Sequence, residues 1–183
     1  MAKNHGILIS SHLMAWDNDA LTMCGVYADG DLDNGQLVTL DGIRKNATTG
    51  AVQGYDYAVK PATAGADNVW LVESPELGYT LETQIHDDPR YFYNEAGKPM
   101  SLRAVMGGVD CFEITKELFA AGTLPVVGDI GKYVAPAADG KYAAPAAAAP
   151  ESGAYFRIEG LTTIKCGFEE VPAVLLRCMA NYH

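Results

Sequence analysis

Four histidines (His5, His12, His86, His183) and four cysteines (Cys24, Cys111, Cys166, Cys178) are the residues whose types could support nucleophilic, acid–base or metal chemistry. Their spacing argues against each use. No Gly-x-Ser-x-Gly elbow or phosphate-cradling glycine loop occurs, and no two cysteines form a Cys-x-x-Cys pair, so the thiols read as buried apolar residues. His5 and His12 have no acid at ligand spacing. His86 does adjoin Asp87 and Asp88, but adjacent residues on an extended chain point to opposite faces, which makes this a solvated turn. Asp29, Asp31 and Asp33 alternate around Gly30 as calcium ligands can, yet the distal glutamate of a calcium loop is missing and a plain acidic turn is expected. The expectation is a protein that is not an enzyme, with no catalytic residue, no metal and no cofactor.

The elements that would position any site follow from composition and turn chemistry. The chain has 183 residues, 49% hydrophobic and 20% charged, which suits one domain with a full core. Its formal charge of −10 would repel a phosphate backbone, so nucleic acid is not an expected partner. No apolar run approaches the roughly 20 residues that cross a bilayer, so no membrane role is expected. The first residues lack an unbroken apolar signal core, and cytoplasmic synthesis without export is expected.

Short β-rich stretches recur between Gly, Asp and Asn turns. Strands are expected at 21–28, 36–40, 57–61, 68–73, 90–93, 100–106, 109–115, 154–158, 161–166 and 171–179. Residues 43–56 show no period and read as a long surface loop, and Thr115–Ala121 reads as a helix of up to two turns, capped by Thr115 and ended by Gly122. Val109 and Cys111 are expected to face a core while Asp110 looks out, and because Phe112 and Ile114 fall on the opposite parity the strand is expected to be covered on both sides. Trp70 is the best single core anchor, and the apolar strand at 171–179 is expected to run through the centre. An eight-residue phrase occurs twice, at 131–138 and 140–147, separated by Asp139. Its Ala-Pro steps break a ladder and Asp139-Gly140 is a turn signal, so a hairpin with arms starting at Tyr133 and Tyr142 is expected.

The fold class that follows is mainly β: an antiparallel β-sandwich or small barrel with one short helix, an extended N-terminal arm and a protruding Ala/Pro-rich hairpin or loop. Residues 1–20 form the arm or an edge strand, and 21–183 a single β-rich domain with an excursion at 131–150.

Five phrases in order carry a family resemblance: Asn34–Val38, Val69–Glu76, Gly97–Arg103, Gly108–Thr115 and Val127–Tyr133. Over about residues 30–135 the chain resembles the capsid decoration, or head cement, proteins of tailed bacteriophages; the Ala/Pro-rich segment 135–150 lies outside the resemblance. The resemblance implies a non-catalytic virion protein on the capsid exterior, made in the host bacterial cytoplasm, that bridges and stabilises major capsid subunits. Its implied partner is the major capsid protein, with self-association on the lattice. The contact elements expected on this basis are residues 1–16 and 133–150, with Ile7, Leu8, Ile9, Met14, Trp16, Tyr133 and Tyr142 as contact residues. The alternatives are a soluble carbohydrate- or ligand-binding β-barrel using Trp70, Tyr91 and Tyr93 as a platform, or a phage tail or fibre component.

Overall fold

The computed structural model describes residues 4–13, 21–76 and 88–181. Strands β2 (Thr22–Val26), β3 (Leu37–Lys45), β4 (Val52–Pro61), β5 (Trp70–Val72) and β6 (Pro99–Ala104) close into a small barrel in the order β2-β4-β3-β5-β6. All its pairs are antiparallel except a short parallel seam, Gly25↔Tyr57 and Val26↔Ala58. Val38, Val59, Trp70, Val72, Met100 and Leu102 fill the interior. Gly25 permits the close approach there, since a Cβ on it would lie 2.6 Å from Leu102 Cδ1.

A second, fully antiparallel sheet has the order β1-β7-β10-β9-β8, from β1 (Leu8–Ile9), β7 (Cys111–Thr115), β8 (Tyr133–Val134), β9 (Tyr155–Cys166) and β10 (Glu169–Ala180). The main core lies between barrel and sheet, joining Leu37, Val69, Leu71 and Val105 to Phe112, Ile114, Phe156, Ile158, Val174 and Leu176. β5 therefore has no polar face: Trp70 and Val72 fill the barrel while Leu71 packs toward the sheet. β10 is central, as expected, and Pro172 is tolerated because it precedes the first β7–β10 pair, Ala173↔Thr115, where one flank of the strand is unpaired. Past its end, the Asn181 amide accepts from Val69 N–H (3.0 Å) and donates to Val69 C=O (2.9 Å) and Val105 C=O (3.0 Å), tying the sheet to the barrel.

The mainly β class with a small barrel holds, and several local expectations do not. Residues 43–56 are not a loop: the β3–β4 ladder continues to Lys45↔Val52, and its register irregularities, with Gly42 and Gly54 at positive φ, erased the two-residue period. The helix at 115–121 is a single 3₁₀ turn, Lys116–Leu118, because Thr115 Oγ1 accepts from Ile7 N–H (3.2 Å) instead of capping, and Ala120 N–H bonds to Tyr142 C=O (2.9 Å). The aromatic strand at 90–93 is replaced by a 3₁₀ turn, Pro89–Tyr91, which Asp88 caps. β7 is not covered equally on both sides: Phe112 and Ile114 are fully buried, Cys111 is half-buried and Val109 is exposed, while Asp110, expected outward, is buried.

The doubled phrase does form a hairpin. Asp139 (φ 62°) and Gly140 (φ 68°) make its turn, and Ala143 N–H to Ala135 C=O (2.9 Å) and the reciprocal Tyr133–Ala146 bonds (2.9 and 2.8 Å) join its arms. It does not protrude. Tyr142 is fully buried among Phe112, Phe119 and Phe156, and its hydroxyl donates to Gly35 C=O (3.1 Å). Alanine-rich arms have too little side chain to hold a hairpin in water, so the one large ring per arm decides where it goes.

Gly140 packs so tightly on β3 that a Cβ would fall 2.2 Å from Leu37 C=O, at a φ that L residues rarely adopt. Gly140→Ala is therefore expected to lose at least about 2 kcal/mol of stability in urea unfolding. Tyr142→Phe, which keeps the ring but strands the Gly35 carbonyl, is expected to lose about 1–2 kcal/mol in the same measurement.

Candidate contact surface

Strand alternation sorts the second sheet into two faces, and the one turned away from the barrel carries the polar chemistry. Register places Tyr133 (β8), Arg157 (β9), Arg177 (β10) and Cys111 (β7) in one row across four strands. The next row on that face holds Gly160, Leu175, Glu113 and Ile9. All of these residues are half-buried.

Two arginines directly opposite each other are unfavourable, and the fold compensates one of them. Arg177 donates to Gly108 C=O (3.1 Å) and lies 3.7 Å from Glu159, which occupies the irregularity between Ile158 and Gly160. Arg157 Nε and Glu159 Oε1 are buried with no hydrogen-bond partner among the described residues. An unsatisfied buried donor costs about 1–3 kcal/mol, so a shift of the half-buried Arg157 side chain that let Nε meet an incoming carboxylate or carbonyl would recover that cost. Tyr133 and Tyr155 stand edge-to-face beside it, ring centroids 5.7 Å apart.

Exposed apolar turns flank the arginine row. On the β7 side, Met106 and Val109 are exposed on a turn closed by Met106 N–H to Asp110 Oδ2 (2.7 Å) and Gly108 N–H to Cys178 C=O (2.8 Å). On the β8 side, Val126 (63% exposed), Val127 (73%) and Ile130 (46%) ride on a 3₁₀ turn, Val127–Asp129. That turn is braced: Asp129 accepts from Val126 N–H (2.9 Å) and Lys132 Nζ (2.7 Å), and Gly131 N–H bonds to Ile158 C=O (2.8 Å). Arg157 Nη2 lies 4.0 Å from where a Gly131 side chain would begin, so this turn adjoins the arginine. Apolar groups held out on braced turns beside Arg and Tyr have the make-up of a protein contact surface.

The expected contact residues divide. Tyr133 and Ile9 lie on this face. Ile7, Leu8 and Tyr142 are buried (2%, 7% and 0% exposed) and their side chains are committed to the chain's own packing. Met14 and Trp16 lie outside the described residues, as do His86, Asp87 and His183. The segment ahead of them is an integral edge of the sheet, with Leu13 also buried, so its deletion would remove core as well as surface. Sequence reading missed Arg157, Arg177 and the Val126–Ile130 turn; the available signal was an arginine in the middle of each of two otherwise apolar strands.

The reactive residue types are placed structurally. His5 Nδ1 is 2.6 Å from Asp33 Oδ1 and its ring stacks on Tyr93 at 4.8 Å, while Asp31 accepts from Ala96 N–H (2.9 Å), so these aspartates brace separate loops. Among the described residues no cluster of three or more His, Cys, Asp or Glu could hold a metal ion. Cys24 and Cys111 are half-buried rather than buried. Burial raises all four thiols, Cys24 to about 11, with Asp56 adding to the effect, and Cys178 to about 12, so none is held as a nucleophilic thiolate. Trp70 is inside the barrel and shares no exposed platform with Tyr91 and Tyr93. Comparison with family models, curated proteins and solved structures finds no match.

The Lys132 ammonium, then the Val126 N–H, holds the Asp129 carboxyl below its ordinary value. Its contribution to the turn is therefore present above the usual carboxylate range and lost as pH falls through the lowered value. Protection of the Val126 amide from hydrogen exchange, after correction for intrinsic rate, is expected to drop on acidification, and Asp129→Asn is expected to abolish that pH dependence.

Proposed function

We propose that this chain is a virion structural protein that decorates the outer surface of a tailed-phage capsid and stabilises it by bridging major capsid subunits. The observation that carries the reading is the outer sheet face: an arginine with unfilled hydrogen-bonding capacity, flanked by braced turns that hold valines and a methionine in solvent. Such a face suits a broad, shallow contact with another protein surface, and many copies acting on one lattice need only modest affinity each. The resemblance of the five ordered phrases to head cement proteins points to the major capsid protein as the partner. Cementing through a rigid sheet face, with the N-terminal segment committed as an edge strand, differs from contact through a free arm.

Co-sedimentation with empty capsids tests the reading. The unmodified chain is expected to pellet with the shells, and Val127→Asp and Arg157→Ala, both outside the main core, are expected to weaken binding at least about tenfold, or about 1.4 kcal/mol. Absence of binding by the unmodified chain would reject the decoration role, and undiminished binding by both folded variants would reject this face as the contact.

A further inference from the structure

Beyond Ile158, β9 loses its outer neighbour. The last hydrogen bonds from the β8 side join Ile158 to Gly131 and Lys132 (2.8 and 2.9 Å), and on the other flank β7 pairs with β10 only over Ala173–Arg177. Residues 161–172 are therefore a two-stranded ribbon, closed by a two-residue Gly167-Phe168 turn with Gly167 at φ 62°. One face of the ribbon is packed, with Ile164, Cys166 and Ala173 against Ile7.

Among the described residues the β9 edge of that ribbon is open. Successive strand residues send their backbone groups to opposite sides, and the closing pair of a two-residue hairpin, here Glu169↔Cys166, is hydrogen-bonded. Ile164 and Thr162 then face β10 as well, through Val171 and Ala173. Leu161, Thr163 and Lys165 are left with N–H and C=O directed outward, and no partner for them occurs among the described residues. Beside this edge, Leu161 is 42% exposed and Phe168 at the tip is fully exposed (111%). Nothing in the turn's geometry requires an aromatic ring there; an unpaired edge next to exposed apolar side chains is what folded chains ordinarily avoid.

We propose that this edge pairs with the same edge of a second copy of the chain, antiparallel about a two-fold axis at Ile164. Outward-facing residues must meet outward-facing residues, which restricts the register. In the one centred on Ile164, Thr163 lies opposite the second copy's Lys165, and Phe168 lies opposite the second copy's Gly160. Gly160 offers room, since nothing lies within 4 Å of where its side chain would begin. One register thus satisfies both open edges and covers both phenylalanines, as an isologous contact must.

Self-complementarity selects a second copy as the occupant, since a single register pairs both open edges and sets each Phe168 over the other copy's open Gly160, and the charge along the seam does not oppose it. In a chain of formal charge −10, the segment 161–166 carries a single charged residue, Lys165, which faces Glu170 of its own ribbon. Two such seams meet with no like charge directly opposite. The pairing does not rest on the capsid reading, because it predicts a dimer in free solution.

Light scattering on the full chain after size-exclusion chromatography is the test. The unmodified protein is expected at twice 19.5 kDa. Thr163→Pro removes an N–H that serves no bond among the described residues and puts a ring in the seam, so it is expected at 19.5 kDa with unchanged circular dichroism. Phe168→Ser, on the solvent-exposed turn, is expected to weaken the dimer at least about tenfold, and it decides the matter if Thr163→Pro fails to fold. An unmodified chain that is monomeric at every concentration overturns the proposal, as does a dimer that Phe168→Ser and folded Thr163→Pro leave intact. A monomer whose capsid co-sedimentation is lost in Thr163→Pro would also overturn it, assigning the edge to the shell while leaving the decoration role standing.

Discussion

The buried hydroxyl of Tyr142, bonded to the Gly35 carbonyl, is the contact on which the two halves of the molecule depend. Gly35 precedes β3 of the barrel, and Tyr142 sits on a hairpin whose other arm includes β8 of the second sheet. The ring itself is surrounded by Phe112, Phe119 and Phe156. Burial pushes the phenol far above its usual value, so it stays a neutral donor. Around it the contacts leave little slack: Gly140 abuts the Leu37 backbone, its N–H bonds to Ala62 C=O, and Gln36 donates to Asp139 C=O (2.5 Å). The hairpin works as a wedge that fixes barrel against sheet.

That wedge explains why one core serves two sheets. The start of β3 and all of β5 bury both faces, with Val38, Trp70 and Val72 inside the barrel and Leu37 and Leu71 outside it. The sheet contributes only one face to this core; the opposite face carries polar residues around Arg157 and Arg177, and toward the far end of β9 and β10 it buries a small apolar cluster of Ile164, Cys166 and Ala173 on Ile7. Arg157 and Arg177 can occupy mid-strand positions for that reason, and the turns that continue these strands hold valines outward instead of tucking them in. Contact surface and core are thus two sides of the same strands, linked by strict alternation.

Much of the strand inventory was legible. Turn chemistry at Asn34-Gly35 and Asp139-Gly140, and the apolar run ending in β10, mark real features. What misled was local: irregularities with glycines at positive φ hid the β3–β4 continuation, and Thr115, a good cap on paper, spends its hydroxyl on Ile7. The site was less legible than the fold. Of the expected contact residues, Ile9 and Tyr133 lie on the outer face, but Tyr142 reads identically to Tyr133 within the doubled phrase and is core.

The sequence by itself determined the β class, the turns and the low-complexity character of the doubled phrase, because these follow from local backbone preferences and composition. Tertiary structure decided which tyrosine of the repeat is buried, which arginine holds a buried Nε with no hydrogen-bond partner among the described residues, and where the β9 edge is left open among them. Each of these depends on register between strands distant in sequence: Tyr133, Arg157, Arg177 and Cys111 become one row only after four strands align. Local preferences hold no information about that alignment; the packing of Tyr142 and its neighbours does.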